Sequence, residues 1–193
     1  GQIRDANGPA LAAAVEEAGG VVAARRHAPD TLAAIDAACD AFAAAGCDLI
    51  LSSGGVSVGE HDLVRRVLET RGRLDFWRIA IKPGKPLAFG ALDGALFFGL
   101  PGNPVSSLVT FELFVRPVLR RMAGHADPLR PRVAALLAVD LPHEPGRREF
   151  VRARLEWRDD AWWATPTGSQ SSHRLASMTG AQALLVASED DGD

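Results

Sequence analysis

Hydrophobic residues in this chain recur at two spacings, and the change from one to the other divides it. In the longer N-terminal part, helical spacing alternates with short unbroken apolar runs. Leu11, Ala14, Val15 and Ala18 share a helical face that Asn7 and Pro9 open and Gly19-Gly20 close. Residues 21–24 read as a short strand. Leu32, Ile35, Cys39 and Phe42 keep helical spacing up to Gly46, with Asp30 as the expected N-cap. The run from Asp48 to Leu51 suits a strand buried on both faces, and it passes into a glycine-rich loop. Leu63, Val64, Val67 and Leu68 make a third amphipathic helix, with Arg65, Arg66 and Glu69 toward water. Strands are expected over 74–81, 87–90 and 95–99. A long helix then starts at Asn103-Pro104 and turns Val105, Leu108, Val109, Val115, Leu119 and Met122 inward. Pro117 inside it is expected to kink the helix or end its first part.

This alternation predicts an α/β domain over residues 1–126, with three α-β-α layers around a mostly parallel sheet. After Gly124 the pattern changes. Residues 125–131 carry two prolines and read as a linker. Strand-like runs follow at 133–141, 149–157, 162–166 and 183–187, without a strong helical period. Three of the four tryptophans lie in this part. It reads as a small all-β, barrel-like domain over 127–193. The first residues read as the middle of a longer protein, and the acidic run at 189–193 as stopping short of a last strand.

Charge and composition narrow the function. A formal net charge of −3 gives no global attraction to nucleic acid or anionic membranes. No apolar run is long enough to span a bilayer, and no charged-then-apolar signal segment is present. The two cysteines, Cys39 and Cys47, make neither a disulfide framework nor a metal cluster, so a reducing, cytoplasmic location is expected. Any anion site must come from a local concentration of cations.

Three loops offer one. Ser52-Ser53-Gly54-Gly55-Val56-Ser57-Val58-Gly59 follows a buried strand and precedes a helix, a geometry that exposes backbone N–H groups. Lys82-Pro83-Gly84-Lys85-Pro86 sets two lysines in a proline-stiffened frame, which limits the entropy lost when both ammonium groups converge. Leu100-Pro101-Gly102-Asn103-Pro104-Val105-Ser106-Ser107 opens the long helix. Together they suggest a phosphate or oxyanion pocket.

With these motifs placed, the chain resembles the molybdopterin molybdenumtransferase family of MoeA proteins and gephyrin E-domains. Besides the three loops, the resemblance takes in Gly146-Arg147-Arg148-Glu149-Phe150-Val151-Arg152 and Thr167-Gly168-Ser169-Gln170-Ser171-Ser172. It implies a molybdopterin-binding-like α/β domain followed by most of a C-terminal β domain, with further N-terminal domains and a closing β segment outside this chain. The implied reaction inserts molybdate into adenylyl-molybdopterin and releases AMP with the help of Mg2+. Asp62 would serve the cation and the adenylate, and Lys82, Lys85, Arg152 and Ser171 would hold molybdate. Ser53, Gly54, Gly55, Ser57, Gly59, Arg78, Pro101, Gly102, Asn103, Pro104 and Ser106 would contact the organic substrate. The implied partners are a second copy of the chain and the adenylyltransferase that makes the substrate.

Plainer roles stand beside these. Asp62 occupies an N-cap position, Asn103-Pro104 is an ordinary helix start, and Arg152 alternates with Arg154 as on a solvated strand face. Ser171 and Ser172 also suit a turn. The family's acidic pair before the second helix is replaced by His27-Ala28, with an acid only at Asp30, and Arg78 stands where lysine is usual. The rival functions are the adenylyltransferase itself, which shares the α/β domain, and a non-catalytic gephyrin-like scaffold.

Overall fold

Phe97 and Phe98 are adjacent in sequence and buried in different cores, which shows how the first sheet is covered. Successive side chains of a strand point to opposite faces, so a strand with apolar residues at both parities must be packed on both sides. The computed structural model describes residues 4–55, 63–143 and 145–189. In chain order it begins with α1 (Asn7–Glu17), α2 (Leu32–Ala44), β1 (Leu49–Ser53) and α3 (Leu63–Arg71). The strands β2 (Gly72–Arg78), β3 (Ile81–Lys82), β4 (Pro86–Leu92) and β5 (Ala95–Leu100) follow. One face of the first sheet packs Phe97, Ala88 and Ile50 against Ile35 and Cys39 of α2 and Val67 and Leu68 of α3. The other packs Phe98, Leu100 and Leu87 against Leu11 of α1 and the long C-terminal helix. This is the expected α-β-α layering.

The strand directions are mixed where a mostly parallel sheet was expected. The order is β1-β5-β4-β2, with β1 parallel to β5 and the other two pairings antiparallel. The cause is local. Asp93 and Gly94 both have positive φ and join β4 to β5 across the pair Leu92↔Ala95, a two-residue turn that forces neighbouring strands to run opposite ways.

The long helix has three parts, α4 (Pro104–Thr110), a π-helical turn (Phe111–Val115) and α5 (Arg116–Met122). Pro117 has no N–H and its ring crowds the carbonyl four residues back, so the helix widens just ahead of it instead of breaking. Three further expectations shift. Residues 21–24 form no strand, and Val21 is 88% exposed with no neighbour strand to pair with among the described residues. Thr31, not Asp30, caps α2, its Oγ1 accepting from Ala34 N at 3.2 Å. The strand expected over 74–81 splits at Ile79-Ala80, because the chain there leaves one sheet for the other.

The second sheet contains β3 together with β6 (Leu136–Leu137), β7 (Arg148–Arg158), β8 (Ala161–Pro166) and β9 (Ala183–Ala187). Of the expected 133–141 strand, Leu136 and Leu137 pair with β8, and Ala138 N donates to Ala164 O at 3.0 Å. β3 runs parallel to the start of β7, Ile81↔Arg148 and Lys82↔Glu149, so the lysine loop is hydrogen-bonded into the second sheet. Beneath it Ile81, Val105, Val109 and Phe150 form a shared core. Each such apolar side chain contributes about 1.5–3 kcal/mol on burial, which ties the start of α4 to the second sheet.

Candidate functional site

The loop after β3 is built to a tight fit. Ile79 N donates to Lys85 O at 2.8 Å, closing the loop at its base. Gly84 sits at φ +111°, and a Cβ there would lie 2.5 Å from the Thr110 hydroxyl oxygen and 3.3 Å from Ile81 Cδ1. A side chain at position 84 would therefore lift the loop off α4. Glycine places Lys82 and Lys85 where they are.

The loop after β5 is held by the glycine-rich segment that follows β1 and by the start of α1. Gly54 N donates to Leu100 O at 3.1 Å, and Ser53 Oγ donates to Pro101 O at 3.3 Å. Asn7 Nδ2 donates to both Ser53 Oγ and Gly102 O at 2.7 Å. One amide at the start of α1 thus joins the two loops, a role its sequence position does not disclose. Asn103 is the N-cap residue of α4, and its Nδ2 donates to Ser172 Oγ at 3.1 Å across to the second sheet.

These segments enclose a cleft of about 510 Å³, lined by residues 81–86, 101–103, Ser106, Arg147 and 170–172. That size suits a small ligand. Lys82, Lys85 and Arg147 supply positive charge, and Gln170, Ser171, Ser172 and Asn103 supply amide and hydroxyl groups. No carboxylate lines it among the described residues. In a chain of net charge −3, this is a local anion-attracting surface.

Of the residues singled out in sequence, Lys82, Lys85, Pro101, Gly102, Asn103, Ser106 and Ser171 line the cleft together. Ser53 supports the wall through Pro101, and Gly54 lies directly behind Gly102, whose Cβ position is 3.7 Å from Gly54 Cα. Gly55, at φ +69°, leaves room for Val64. Pro104 starts α4 behind the lining. Arg78 is exposed at the end of β2, opposite Pro86, and outside the lining. Ser57, Gly59 and Asp62 lie outside the described residues.

Arg152 differs most from expectation. It is 1% exposed, and its Nε and one terminal nitrogen donate to Ser177 Oγ at 3.2 and 3.1 Å. The same terminal nitrogen reaches Ser171 O at 3.5 Å. Burial pulls the guanidinium below its ordinary pKa, opposed by the charge of Glu149. The amide of Gln170 clamps the Arg152 backbone, accepting from its N at 2.9 Å and donating to its O at 3.2 Å. Arg152 therefore carries the 170–172 loop from beneath, because its strand parity turns it into the second sheet's core. Arg147, Gln170 and Ser172 are the polar lining residues that the sequence motifs contained without assigning.

Fold and cleft together define an α/β domain whose candidate binding cleft is completed by an appended β sheet. Residues 1–121 match the family described as the probable molybdopterin binding domain, and residues 134–193 match the MoeA C-terminal region, domain IV. The chain belongs to the MoeA family. Molybdopterin molybdenumtransferase 2 of Mycobacterium tuberculosis is 40% identical over 196 residues, 98% of this chain and 48% of that protein. Gephyrin of Dictyostelium discoideum is 36% identical over 228 residues, which cover 100% of this chain and 31% of gephyrin. A solved molybdopterin biosynthesis MoeA protein from Pyrococcus horikoshii superposes with a TM-score of 0.76 at 26% identity, covering 99% of this chain and 44% of that one. The chain spans about half the length, or less, of these curated relatives.

Proposed function

We propose that this chain carries the oxyanion site of a molybdopterin molybdenumtransferase, which inserts molybdate into adenylyl-molybdopterin with release of AMP. The observation that supports it is the convergence of Lys82, Lys85 and Arg147 with the Ser171 and Ser172 loop on one cleft free of lining carboxylates among the described residues. Molybdate is a tetrahedral dianion, and charge-assisted contacts from ammonium and guanidinium groups are the strong ones available to it. The rigid lysine loop would hold the anion from one sheet's edge while the 170–172 loop closes on it from the other. The dithiolene sulfurs that suit molybdenum come with the substrate, which fits a chain with two cysteines, one of them buried in the core.

Mg2+ belongs to the same proposal as an external cation whose charge would offset the adenylate phosphate. The lining groups are cations, amides and hydroxyls, a donor set for anions, and no cluster of three His, Cys, Asp or Glu forms among the described residues. The described residues therefore offer Mg2+ no such cluster, the expected ligand Asp62 lies outside them, and no step is assigned to the ion. A homodimer that completes the active site, supply of substrate by the adenylyltransferase and a cytoplasmic location complete the proposal. Among the described residues no helix is long and apolar enough to cross a membrane.

The test is AMP release by the full-length protein from adenylyl-molybdopterin. Release that requires molybdate is the expected result. ATP consumption with pyrophosphate release would favour the adenylyltransferase, and no turnover with intact oxyanion binding would favour the scaffold.

A further inference from the structure

Behind Lys82, outside the cleft lining, lies a linked pair of titratable groups that the proposed anion contacts do not use. Glu149 pairs with Lys82 near the start of β7 and is 7% exposed, and its Oε1 lies 3.1 Å from Lys82 Nζ. Its Oε2 lies 3.3 Å from His143 Nδ1. The other ring nitrogen of His143, Nε2, lies 2.8 Å from the carbonyl oxygen of Ser188. The His143 side chain is 7% exposed and the Glu149 side chain 9%, so water does not substitute freely for these partners.

The geometry constrains the proton count. A carbonyl oxygen only accepts, so Nε2 must donate to Ser188. A neutral imidazole has a single N–H, and its Nδ1 would then turn a lone pair toward a carboxylate that offers only lone pairs. Two facing acceptors in a buried setting are unfavourable. One additional proton between Nδ1 and Oε2, on the ring or on the carboxyl, satisfies both atoms. In either placement the His143–Glu149 pair is neutral as a unit. Lys82 is then held by an oxygen whose charge is already cancelled, and its own charge stays available to the cleft.

We propose that Glu149 and His143 are positioning residues for Lys82: Glu149 fixes the ammonium at the edge of the cleft, and the proton shared with His143 prevents the carboxylate from competing with an incoming anion. The proposal rests on the oxyanion reading of the cleft. It explains how a buried carboxylate can stand one residue behind an anion site without cancelling it. Without His143, the carboxylate and a dianion would compete for the same ammonium.

The test uses the full-length protein, its His143→Gln and Glu149→Gln variants, and two readouts. The first is the rate at which acetic anhydride modifies Lys82 at fixed pH, followed by peptide mass spectrometry; Lys82 is 46% exposed and open to the reagent. In Glu149→Gln the amide oxygen still accepts from Lys82 and the amide N–H can donate to a neutral His143. One neutral arrangement replaces another beside the ammonium, so acetylation stays near the parent rate. In His143→Gln the bare carboxylate holds the ammonium harder, and acetylation slows. The second readout is tungstate binding by calorimetry. His143→Gln is expected to lower affinity about tenfold, and Glu149→Gln to leave it equal or tighter.

Thermal melts confirm that each variant is folded. A general loosening of the site would speed both variants, so a rate in His143→Gln that does not fall, or a rate in Glu149→Gln that falls with it, overturns the proposal. Slower acetylation in His143→Gln alone, with no tungstate binding by the parent protein, would keep the linkage and sink the oxyanion reading instead.

Discussion

Lys82 draws its importance from where one glycine puts it. The loop that carries it closes through Ile79 and Lys85, and Gly84 lets it lie against Thr110. Removing the Lys82 ammonium while leaving Lys85, Arg147 and the 170–172 loop in place should weaken tungstate binding roughly ten- to a hundredfold, the equivalent of about 1.5–3 kcal/mol for a charge-assisted contact. Calorimetry on Lys82→Ala checks this, and an unchanged dissociation constant removes the residue from the site. Asp62 needs a different measurement, because a helix cap and a cation ligand share the same side chain. Asparagine caps as well as aspartate but lacks the negative charge that a hard cation prefers. Asp62→Asn is expected to keep its melting temperature and to need much more magnesium for AMP release; superimposable magnesium titrations would leave Asp62 a cap. The lysines were legible in sequence because two prolines and a glycine leave that loop little freedom. Asn7, Glu149 and His143 were not, since their partners lie across the fold. Arg152 was expected to hold the anion directly, but the packing of the second sheet buries its side chain against Ser177, outside the cleft lining.

At the scale of elements, the apolar spacing located α1, α2, β1 and the long helix closely, because each has a face that must be buried. It did not give strand direction. Asp93-Gly94 is the strongest short hairpin signal in this chain, and it makes the sheet mixed. The same turn also supplies a tie between elements. Arg71, at the end of α3, reaches Asp36 and Asp40 of α2 at 2.7 Å and Asp93 of the β4–β5 turn at 2.8 Å. The Arg71 side chain is 18% exposed, and the hydrogen bonds its guanidinium donates to Asp36, Asp40 and Asp93, in that order, hold its proton above the ordinary range. Single surface ion pairs contribute little, but a shared, half-covered guanidinium with three acceptors forms a network. Arg71→Met also leaves three carboxylates facing one another. It should cost about 1–3 kcal/mol in urea denaturation, with the deficit shrinking as salt is added. A salt-independent loss would assign the effect to packing against α2 instead. Cys39 offers a probe on the same helix. Burial raises its thiol above the ordinary pKa against the pull of Arg71, so it should react with a thiol reagent only on unfolding, while partly exposed Cys47 reacts in the native state.

At the scale of the molecule, the cleft belongs to neither sheet alone. Its lysines sit on a segment that leaves the first sheet at Arg78 and joins the second at Ile81, where the backbone pairs with Arg148 and Glu149. Its far wall, residues 170–172, is carried by Arg152 of β7, and Asn103 bridges to Ser172 from the start of α4. The shared core of Ile81, Val105, Val109 and Phe150 lies directly beneath. If residues 1–126 are a folding unit, as the change of pattern at Gly124 predicts, they should keep the first sheet when expressed alone, because its two cores are closed by α1, α2, α3 and the long helix. They should not keep the site. Ile81 and Lys82 would lose their strand partner, Val105 and Val109 would lose Phe150, and the lysine loop would lose Glu149. Circular dichroism and amide exchange of the 1–126 fragment are therefore expected to show a protected β1-β5-β4-β2 sheet with fast exchange confined to residues 79–86 and the start of α4. Tungstate affinity should fall by more than the Lys82→Ala substitution costs, since Arg147, Ser171 and Ser172 leave with the second sheet. Retention of affinity by the fragment would place the anion on the first sheet's loops alone and remove the 170–172 loop from the site.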